Sequence, residues 1–127
     1  GIGPGAWSNE APRADAPFGA RRANARDLDL WLARIAAGEP GALDPPECLD
    51  AHTARGEAAF LALRTAAGLD AASFAAEFGA PPRAFWNAAI DELVAAGLLV
   101  EDAARAGTLC LTPRGFLLSD SVFLRFV

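Results

Sequence analysis

Apolar residues follow a helical period along most of the chain. In the first such stretch, residues 25–38, four large apolar side chains share one face and are expected to point inward: Leu28, Trp31, Leu32 and Ile35. Asn24 precedes the stretch and is predicted to cap the helix, and Gly38 is predicted to end it. Residues 1–22 show no sustained period, so they are predicted to form a strand end at "GIG" followed by a loop.

A second helix is predicted over residues 51–68, after a connector at residues 39–47. Asp50 stands where its side chain can cap this helix, and Gly68 is predicted to end it. The apolar residues expected on its inner face are Phe60, Leu61 and Leu63. Arg64 follows this face and is interpreted either as part of a solvated charged surface or as an anchor to another segment.

Two more helices follow directly along the chain. Asp70 is predicted to cap a short helix over residues 71–78, in which Phe74 and Phe78 stack one turn apart. The next helix, residues 81–97, carries proline in its first turn. Its apolar side is expected to consist of Trp86, Ile90 and Leu93.

The period then changes from helical to alternating. Residues 98–102 and 108–112 flank "AARAG" and predict a β-hairpin. The second arm of this hairpin is expected to turn two residues inward: Leu109 and Leu111. Thr112 is placed to cap a last helix, which begins at Pro113 and is apolar on nearly all sides. That breadth predicts burial against a partner surface.

The order of these elements from Asp50 to Val127 is helix, short helix, helix, hairpin and helix. This is the order of a winged helix-turn-helix. The predicted fold class is therefore mainly α with a small β-hairpin, in which a winged helix-turn-helix-like C-terminal domain is preceded by a helix and a strand-end segment. The helix over residues 81–97 takes the recognition position.

The surface of that third helix is poorly equipped to bind DNA. Its solvent stripe is formed by Arg83, Asn87 and Asp91, with Glu92 beside it, so that one cation is opposed by two carboxylates. The net charge of the whole chain is -5, which leaves no basic surplus for phosphates. We therefore expect no nucleic-acid partner, while a stand-alone winged-helix module that binds DNA or protein stays as the alternative.

The sequence predicts no metal site and no catalytic residue. Cys48 and His52 are spaced so that one helix face can carry both, but a structural zinc site needs four ligands and the only other thiol is Cys110. The single His has no evident nucleophile beside it, and neither cysteine lies in basic surroundings. The cysteines, one expected at a helix edge and one in a strand, are interpreted as separate thiols. A disulfide between them, or a zinc or redox module, is the alternative.

Two further features concern the cellular location of the protein and the start of the chain. No apolar run is long enough to span a bilayer and no leader pattern is evident, so we predict a cytoplasmic protein with no membrane partner. The chain contains no Met, so residue 1 is not expected to be a natural start. The chain is interpreted as a processed product or a part of a longer protein.

The opening "GIGPGAWS" matches neither common phosphate-binding loop. A dinucleotide-binding loop would lead directly into a helix, and a P-loop needs a Lys that this chain lacks. The stretch is better interpreted as a glycine-rich strand end that lets backbone approach a ligand, with Ala6 and Trp7 at its lip.

Several stretches taken together resemble one known family. They are "GIGPGAWS", "RRANARDLDLWLARIAAGEP", "GEAAFLALRTAAGLDAASFAAEFG", "LVAAGLL" and "LTPRGFLLSDSVF". In this order they resemble the C-terminal region of the oxygen-independent coproporphyrinogen III oxidase-like radical SAM proteins, which include a haem-chaperone branch. The resemblance covers essentially the whole chain, and "LALRTAAGLD" is more similar to the chaperone-like branch.

The resemblance implies a parent protein with an N-terminal radical SAM barrel. Its C-x-x-x-C-x-x-C motif would hold a [4Fe–4S] cluster that cleaves S-adenosylmethionine, and haem is a further ligand of the family. This chain lacks that motif, so it is expected to hold no cofactor and to be inactive by itself. Ala6 and Trp7 match positions at the S-adenosylmethionine pocket, although the chaperone-like branch often has His in place of Trp7.

The resemblance also divides the chain into three parts. Residues 1–22 are the strand end and loop left from the barrel, residues 23–49 are a helix and connector, and residues 50–127 are the winged-helix-like domain. The implied function is that of an accessory domain in porphyrin or haem metabolism that packs on the barrel and covers its substrate end. The implied partners are the barrel, a tetrapyrrole bound by the parent and, for the chain alone, a second copy in a homodimer.

Overall fold

The computed structural model of the protein describes residues 1–41 and 45–127. These residues form two compact units, Gly1–Ala54 and Arg55–Val127, and each is described by itself. The fold is mainly α with small antiparallel sheets, as predicted. The elements of the first unit are β1 (Trp7–Glu10), β2 (Ala20–Ala23), α1 (Leu28–Ala36) and β3 (Glu47–Cys48).

The first unit contains a sheet that the sequence did not predict. β1 pairs antiparallel with β2, with Trp7 opposite Ala23, and β3 pairs with the other side of β2, with Ala20 opposite Cys48. The prediction of a strand end at "GIG" is wrong, because residues 1–6 precede the strand. The strands "WSNE" and "ARRA" were not predicted, because this sheet buries little more than Ala20. Their sequences therefore show no alternating apolar pattern.

Helix α1 begins later than predicted. Asp27, not Asn24, caps it, and its carboxylate accepts a hydrogen bond from the N–H of Leu30 at 2.8 Å. Three of the four residues on the predicted inward face of α1 are exposed, whereas Trp31 is partly buried. The connector predicted at residues 39–47 falls partly on residues 42–44, which lie outside the described residues, and its end forms β3.

The buried apolar side chains of the first unit are small. Leu28, Leu32 and Ile35 of α1 are 54%, 49% and 48% exposed. Among residues 1–41 and 45–54, the buried apolar residues are all alanines: Ala16, Ala20, Ala25 and Ala54. The first unit therefore exposes the apolar stripe of α1, apart from Trp31, which is partly buried.

The second unit has the topology of a winged helix. Its elements are α2 (Ala51–Leu63), which begins before the division, β4 (Leu69–Asp70), α3 (Ala71–Phe78), α4 (Pro82–Ala95), β5 (Leu99–Glu101), β6 (Thr108–Leu111), α5 (Pro113–Leu117) and α6 (Ser119–Phe123). The sheet order is β4-β6-β5, so the predicted hairpin is confirmed and β4 is an additional strand on its far side.

The predicted caps of the second unit are confirmed in three places. Asp70 accepts a hydrogen bond from the N–H of Ser73 at 2.7 Å, and Thr112 accepts one from the N–H of Gly115 at 2.9 Å. Asp50 does the same at the start of α2, where it accepts from the N–H of Thr53 at 2.8 Å. These local signals locate the helix starts because the capping oxygen and its donor are only three residues apart.

One hydrophobic core holds the second unit together. It contains residues from α2, α3, α4, the sheet and the C-terminal segment: Ala59, Leu63, Leu69, Phe74, Ile90, Leu93, Leu99, Leu109, Val122, Phe123 and Phe126. Most of the predicted inward residues belong to it or pack against it. Leu61 does not, since it is 49% exposed.

The last helix differs from its prediction in one way. It is broken at Leu118, whose φ of −110° and ψ of 24° separate α5 from α6. The polar sequence "SDS" follows the break, and such residues favour local hydrogen bonds over a continuous helix. Leu117 and Leu124 are 84% and 71% exposed in the chain, so the predicted burial against a partner surface stays a prediction. Among the described residues, no helix is long and apolar enough to cross a membrane.

Candidate functional site

Trp7 begins strand β1 and lies on an open face of the sheet. Its side chain is about half exposed, and the guanidinium carbon of Arg21 lies 5.3 Å from its ring centroid, within the range of a cation–π contact. Arg21 in turn donates two hydrogen bonds to Glu47, at 2.6 Å from Nε and 2.8 Å from Nη2. These hydrogen bonds lower the pKa of Glu47. One residue from each of the three strands thus forms a continuous cluster.

The turn before Trp7 is held by backbone and amide hydrogen bonds. Asn24 is 8% exposed, its side-chain amide donates to the carbonyl of Gly3 at 2.7 Å, and its backbone N–H donates to the carbonyl of Ala6 at 2.8 Å. Gly3 and Gly5 have φ values of 102° and 69°, which glycine tolerates best. Ala6 and Trp7 therefore lie together at the end of an ordered glycine turn, and their assignment to a cofactor stays a prediction.

The opposite face of the same sheet carries a second ion-pair cluster. Arg22 pairs with Glu10, and Arg13 bridges Glu10 and Asp15 at 2.6 and 2.7 Å. The hydrogen bond from Arg22 is the main cause of a lowered pKa at Glu10. Because successive residues of a strand project to opposite faces, this cluster does not share the face of Trp7.

The positive charge of Arg83, on the recognition helix of the winged helix, is neutralised by carboxylates. Arg83 donates hydrogen bonds from Nη1 to Asn87 at 2.9 Å and to Asp91 at 2.7 Å. From Nη2 it donates to Glu101 in β5 at 2.6 Å. The carboxylates of Asp91 and Glu101 raise the pKa of Arg83. The cation at the start of α4 is thus already held by two carboxylates, one of them on the hairpin.

Arg64 joins two helices through aromatic rings. Its guanidinium carbon lies 5.2 Å from the ring centroid of Phe60 in α2 and 5.1 Å from that of Phe123 in α6. The two rings are themselves 5.9 Å apart. This geometry favours the interpretation of Arg64 as an anchor, and Arg64 also lines an open depression of about 330 Å³ beside Asp120 and Val127.

The cysteines and the histidine do not come together on one helix. Cys48 lies in β3 rather than at a helix edge, and His52 lies in α2, so the expected shared helix face is wrong. Cys110 lies in β6, where Arg105 Nη2 is 3.7 Å from its sulfur, a basic neighbour that the sequence did not indicate. Both thiols are free. In the part of the chain that the structure describes, no group of three or more His, Cys, Asp or Glu residues is arranged to hold a metal ion.

The sequence predicted Ala6 and Trp7 as site residues but did not indicate the residues that lie against them. Arg21 and Glu47 are 26 positions apart, and Glu47 belongs to a two-residue strand after a proline-rich connector. Asn24 was noticed as a helix cap, whereas its side chain fixes the glycine turn. Only the pairing of strands brings Arg21 and Glu47 close to Trp7, and no local sequence pattern predicts that pairing.

The second unit defines the class of the domain: a winged-helix-like module whose recognition surface carries more carboxylates than cations and whose hairpin is tied to α4. A family model described as the HemN C-terminal domain matches residues 49–118, and the chain belongs to this family. That match confirms the resemblance to the C-terminal region of coproporphyrinogen oxidase-like radical SAM proteins. No curated protein and no solved structure matches the chain.

Proposed function

We propose that the chain is the C-terminal accessory domain of a radical SAM protein of porphyrin or haem metabolism. In this role it packs on the barrel of the parent protein and covers its substrate end. The observation that carries the proposal is the family match over residues 49–118. The stretch "LALRTAAGLD" favours a haem-chaperone-like parent over an oxidase, and the cytoplasm is the proposed location.

The first unit offers the surfaces that such packing would use. Helix α1 exposes a stripe of large apolar side chains, and exposed apolar patches of this kind are typical of interaction sites. In the described part of the chain, β1 pairs with β2 alone, so its other edge is open to a neighbouring strand. Both features support a barrel as the partner, and for the chain alone they support a homodimer.

Ala6 and Trp7 are proposed to border the S-adenosylmethionine pocket of the parent. Their fit rests on the ordered glycine turn and on the half-exposed indole beside it. A [4Fe–4S] cluster does not fit this chain, because two cysteines cannot supply three ligands. The cluster ligands and the radical chemistry would therefore belong to the barrel, and a tetrapyrrole would bind mainly there.

The recognition surface, where carboxylates hold the cation, supports this proposal over DNA binding. A DNA-reading helix presents uncommitted Arg, Lys, Asn or Gln side chains to base edges. Here Arg83 and Asn87 are hydrogen-bonded to each other and to Asp91 on the same helix. The proposed domain therefore has no nucleic-acid partner.

Hydrogen exchange of the full-length polypeptide and of this chain tests the packing. We expect amides of α1 and β1 to exchange more slowly in the full-length polypeptide, because the barrel covers them there. Amides of α3 serve as the control, since Phe74 already anchors that helix in the core of the second unit. Equal exchange of α1 and β1 in the two proteins would contradict the proposal.

Titration with haem and with porphyrin tests the assigned role. Binding is expected for the full-length polypeptide and should be lost or strongly weakened in this chain. Full binding by this chain alone would show that the tetrapyrrole site does not lie mainly in the barrel. An upstream reading frame without C-x-x-x-C-x-x-C would exclude a radical SAM parent.

A further inference from the structure

We infer that Arg21 and Glu47 are positioning residues for Trp7, and that they hold its indole so that the uncovered side can stack on the adenine ring of S-adenosylmethionine. The inference rests on the proposed function, because it requires Trp7 to border that pocket. Neither residue needs to touch the cofactor.

The strand register places all three side chains on one face. Asn9 lies directly opposite Arg21 across β1 and β2, and Arg21 lies directly opposite Glu47 across β2 and β3. Residues opposite each other in antiparallel strands project to the same side, and Trp7 is two positions from Asn9. Arg21 is therefore the diagonal neighbour of Trp7, a distance that a long side chain can span.

The hydrogen bonds decide which way the guanidinium faces. Arg21 donates from both Nε and Nη2 to the two carboxylate oxygens of Glu47, a fork geometry that fixes the guanidinium plane as well as its position. A single-point contact would leave that plane free to rotate. The guanidinium is thereby held against one side of the indole.

About half of the Trp7 side chain is exposed and available to a ligand. An exposed tryptophan without neighbours would exchange between rotamers, and a ligand that stacks on it would have to order it first. Arg21 covers part of Trp7, and about half of the side chain stays exposed. Adenine is the planar aromatic part of S-adenosylmethionine, and bases stack well on aromatic side chains.

The same strand supplies a matched control. Arg22 is the next residue and also pairs with a glutamate, Glu10, but it projects to the opposite face. Substitution of either arginine removes an ion pair between neighbouring strands. Only substitution of Arg21 removes the neighbour of Trp7, so the two variants separate positioning from general sheet stability.

The first experiment uses the chain itself and measures the order of the Trp7 indole by NMR. The Nε1–H signal of Trp7 is assigned from its loss in Trp7→Phe. We expect Arg21→Leu and Glu47→Gln to lower its order parameter and to remove its nuclear Overhauser contacts to residue 21. Arg22→Leu and Glu10→Gln should leave both unchanged. An unchanged order parameter in Arg21→Leu would overturn the positioning role.

The second experiment measures the dissociation constant of S-adenosylmethionine for the full-length polypeptide under anaerobic conditions. Trp7→Ala is expected to raise this constant by about tenfold. Arg21→Leu should raise it by about threefold or more, and Arg22→Leu should not change it. In the double variant, Arg21→Leu should add nothing to the effect of Trp7→Ala, because Arg21 acts through Trp7.

The outcomes separate this inference from the proposed function. If Trp7→Ala leaves the dissociation constant unchanged, Trp7 does not border the pocket, and both that part of the proposed function and adenine stacking are overturned. If Trp7→Ala weakens binding but Arg21→Leu does not, only the positioning role is overturned. An additive effect of the two substitutions would show that Arg21 acts on the ligand directly, which also overturns it.

Discussion

At the residue scale, one glycine sets the distance between α5 and the chain before β5. A Cβ atom on Gly115 would lie 1.9 Å from the carbonyl oxygen of Leu98 and 2.8 Å from its carbonyl carbon. Both are backbone atoms, so no side-chain rotation can relieve the contact. Thr112 strengthens this junction, since its N–H also donates to Leu98 O, at 3.0 Å. Close backbone approach therefore explains why this position in a helix is glycine.

We predict that Gly115→Ala destabilises the protein by about 3 kcal/mol, because the added methyl group must push two backbone segments apart. Gly97→Ala is the control. Gly97 has a φ of 67° but open space around its position, so strain alone should cost about 1 kcal/mol. Urea denaturation followed by circular dichroism measures both values. Equal losses in the two variants would contradict the steric explanation.

Asp70 gives the protein part of its pH dependence. Its carboxylate caps α3 through the N–H of Ser73 and accepts a weaker hydrogen bond from Thr108 at 3.3 Å. The capping bond is the main cause of its lowered pKa, relative to an ordinary value of 3.8. A carboxylate whose pKa is lower in the folded state stabilises the fold above its unfolded pKa. This stabilisation is lost as the pH falls through the folded pKa.

We predict that Asp70→Asn reduces the acid sensitivity of the protein. Asn retains a capping oxygen but does not titrate, so the variant should have a lower Tm than the parent chain at pH 7, and this difference should be smaller at pH 3. Thermal unfolding at the two pH values measures this difference. Glu77→Gln, an exposed change within the same helix that does not touch the cap, is the control. An unchanged pH dependence in Asp70→Asn would exclude the cap as a source of acid sensitivity.

At the scale of elements, Arg83 ties the hairpin to the recognition helix. It holds Asp91 within α4 and Glu101 in β5, and its side chain is 39% exposed. Exposed ion pairs contribute little to global stability because solvent screens them. Their effect here is local, since a bond between two elements limits how far one moves against the other.

We predict that Glu101→Gln speeds hydrogen exchange at β5 and at the hairpin turn, while the free energy of unfolding falls by less than about 1 kcal/mol. Asp91→Asn is the matched control, because it removes a partner of Arg83 but leaves the bond to the hairpin in place. Mass spectrometry of exchanging peptides distinguishes the two. Faster hairpin exchange in both variants would contradict the tie.

The same scale shows what the sequence could predict. The caps at Asp70 and Thr112 and the turn of the hairpin were predicted correctly because each depends on residues within a few positions. Strand β4 was missed because two residues carry no period. The prediction of an inner face on α1 failed at three of its four residues, for another reason. Periodicity shows that Leu28, Leu32 and Ile35 share a face, but not whether anything covers it.

The candidate site follows the same division. Ala6 and Trp7 were predicted as site residues because the glycine-rich stretch is visible in the sequence and resembles a known family, and their role stays a prediction. Arg21 and Glu47 were not, because their approach to Trp7 depends on the pairing of three strands. Sequence periodicity contains no information on the pairing of distant strands, and this pairing determines the geometry around Trp7.

At the scale of the whole molecule, the two units bury apolar side chains very differently. The second unit has leucines, phenylalanines and an isoleucine in one core, including Ile90 at 0% exposure. The described residues of the first unit bury alanines instead. Because hydrophobic stabilisation grows with buried apolar area, the second unit is expected to supply most of the stability of the chain.

This difference leads to a prediction for α1. Leu32→Gln with Ile35→Gln should change the free energy of unfolding of the chain by no more than about 1 kcal/mol, since both residues are about half exposed and Gln suits a helix. Ile90→Ala should cost about 3 kcal/mol, because it opens a cavity in the core of the second unit. Urea denaturation compares the two variants.

The double substitution should have a much larger effect where α1 has a partner. In the full-length polypeptide it should remove the slow hydrogen exchange of α1, because two glutamines in an apolar interface leave polar groups without partners. In the chain alone it should lower the sedimentation coefficient if copies associate through this stripe. A loss of stability as large as that of Ile90→Ala would instead show that Leu32 and Ile35 are needed by the chain's own fold, and would refute α1 as a docking face.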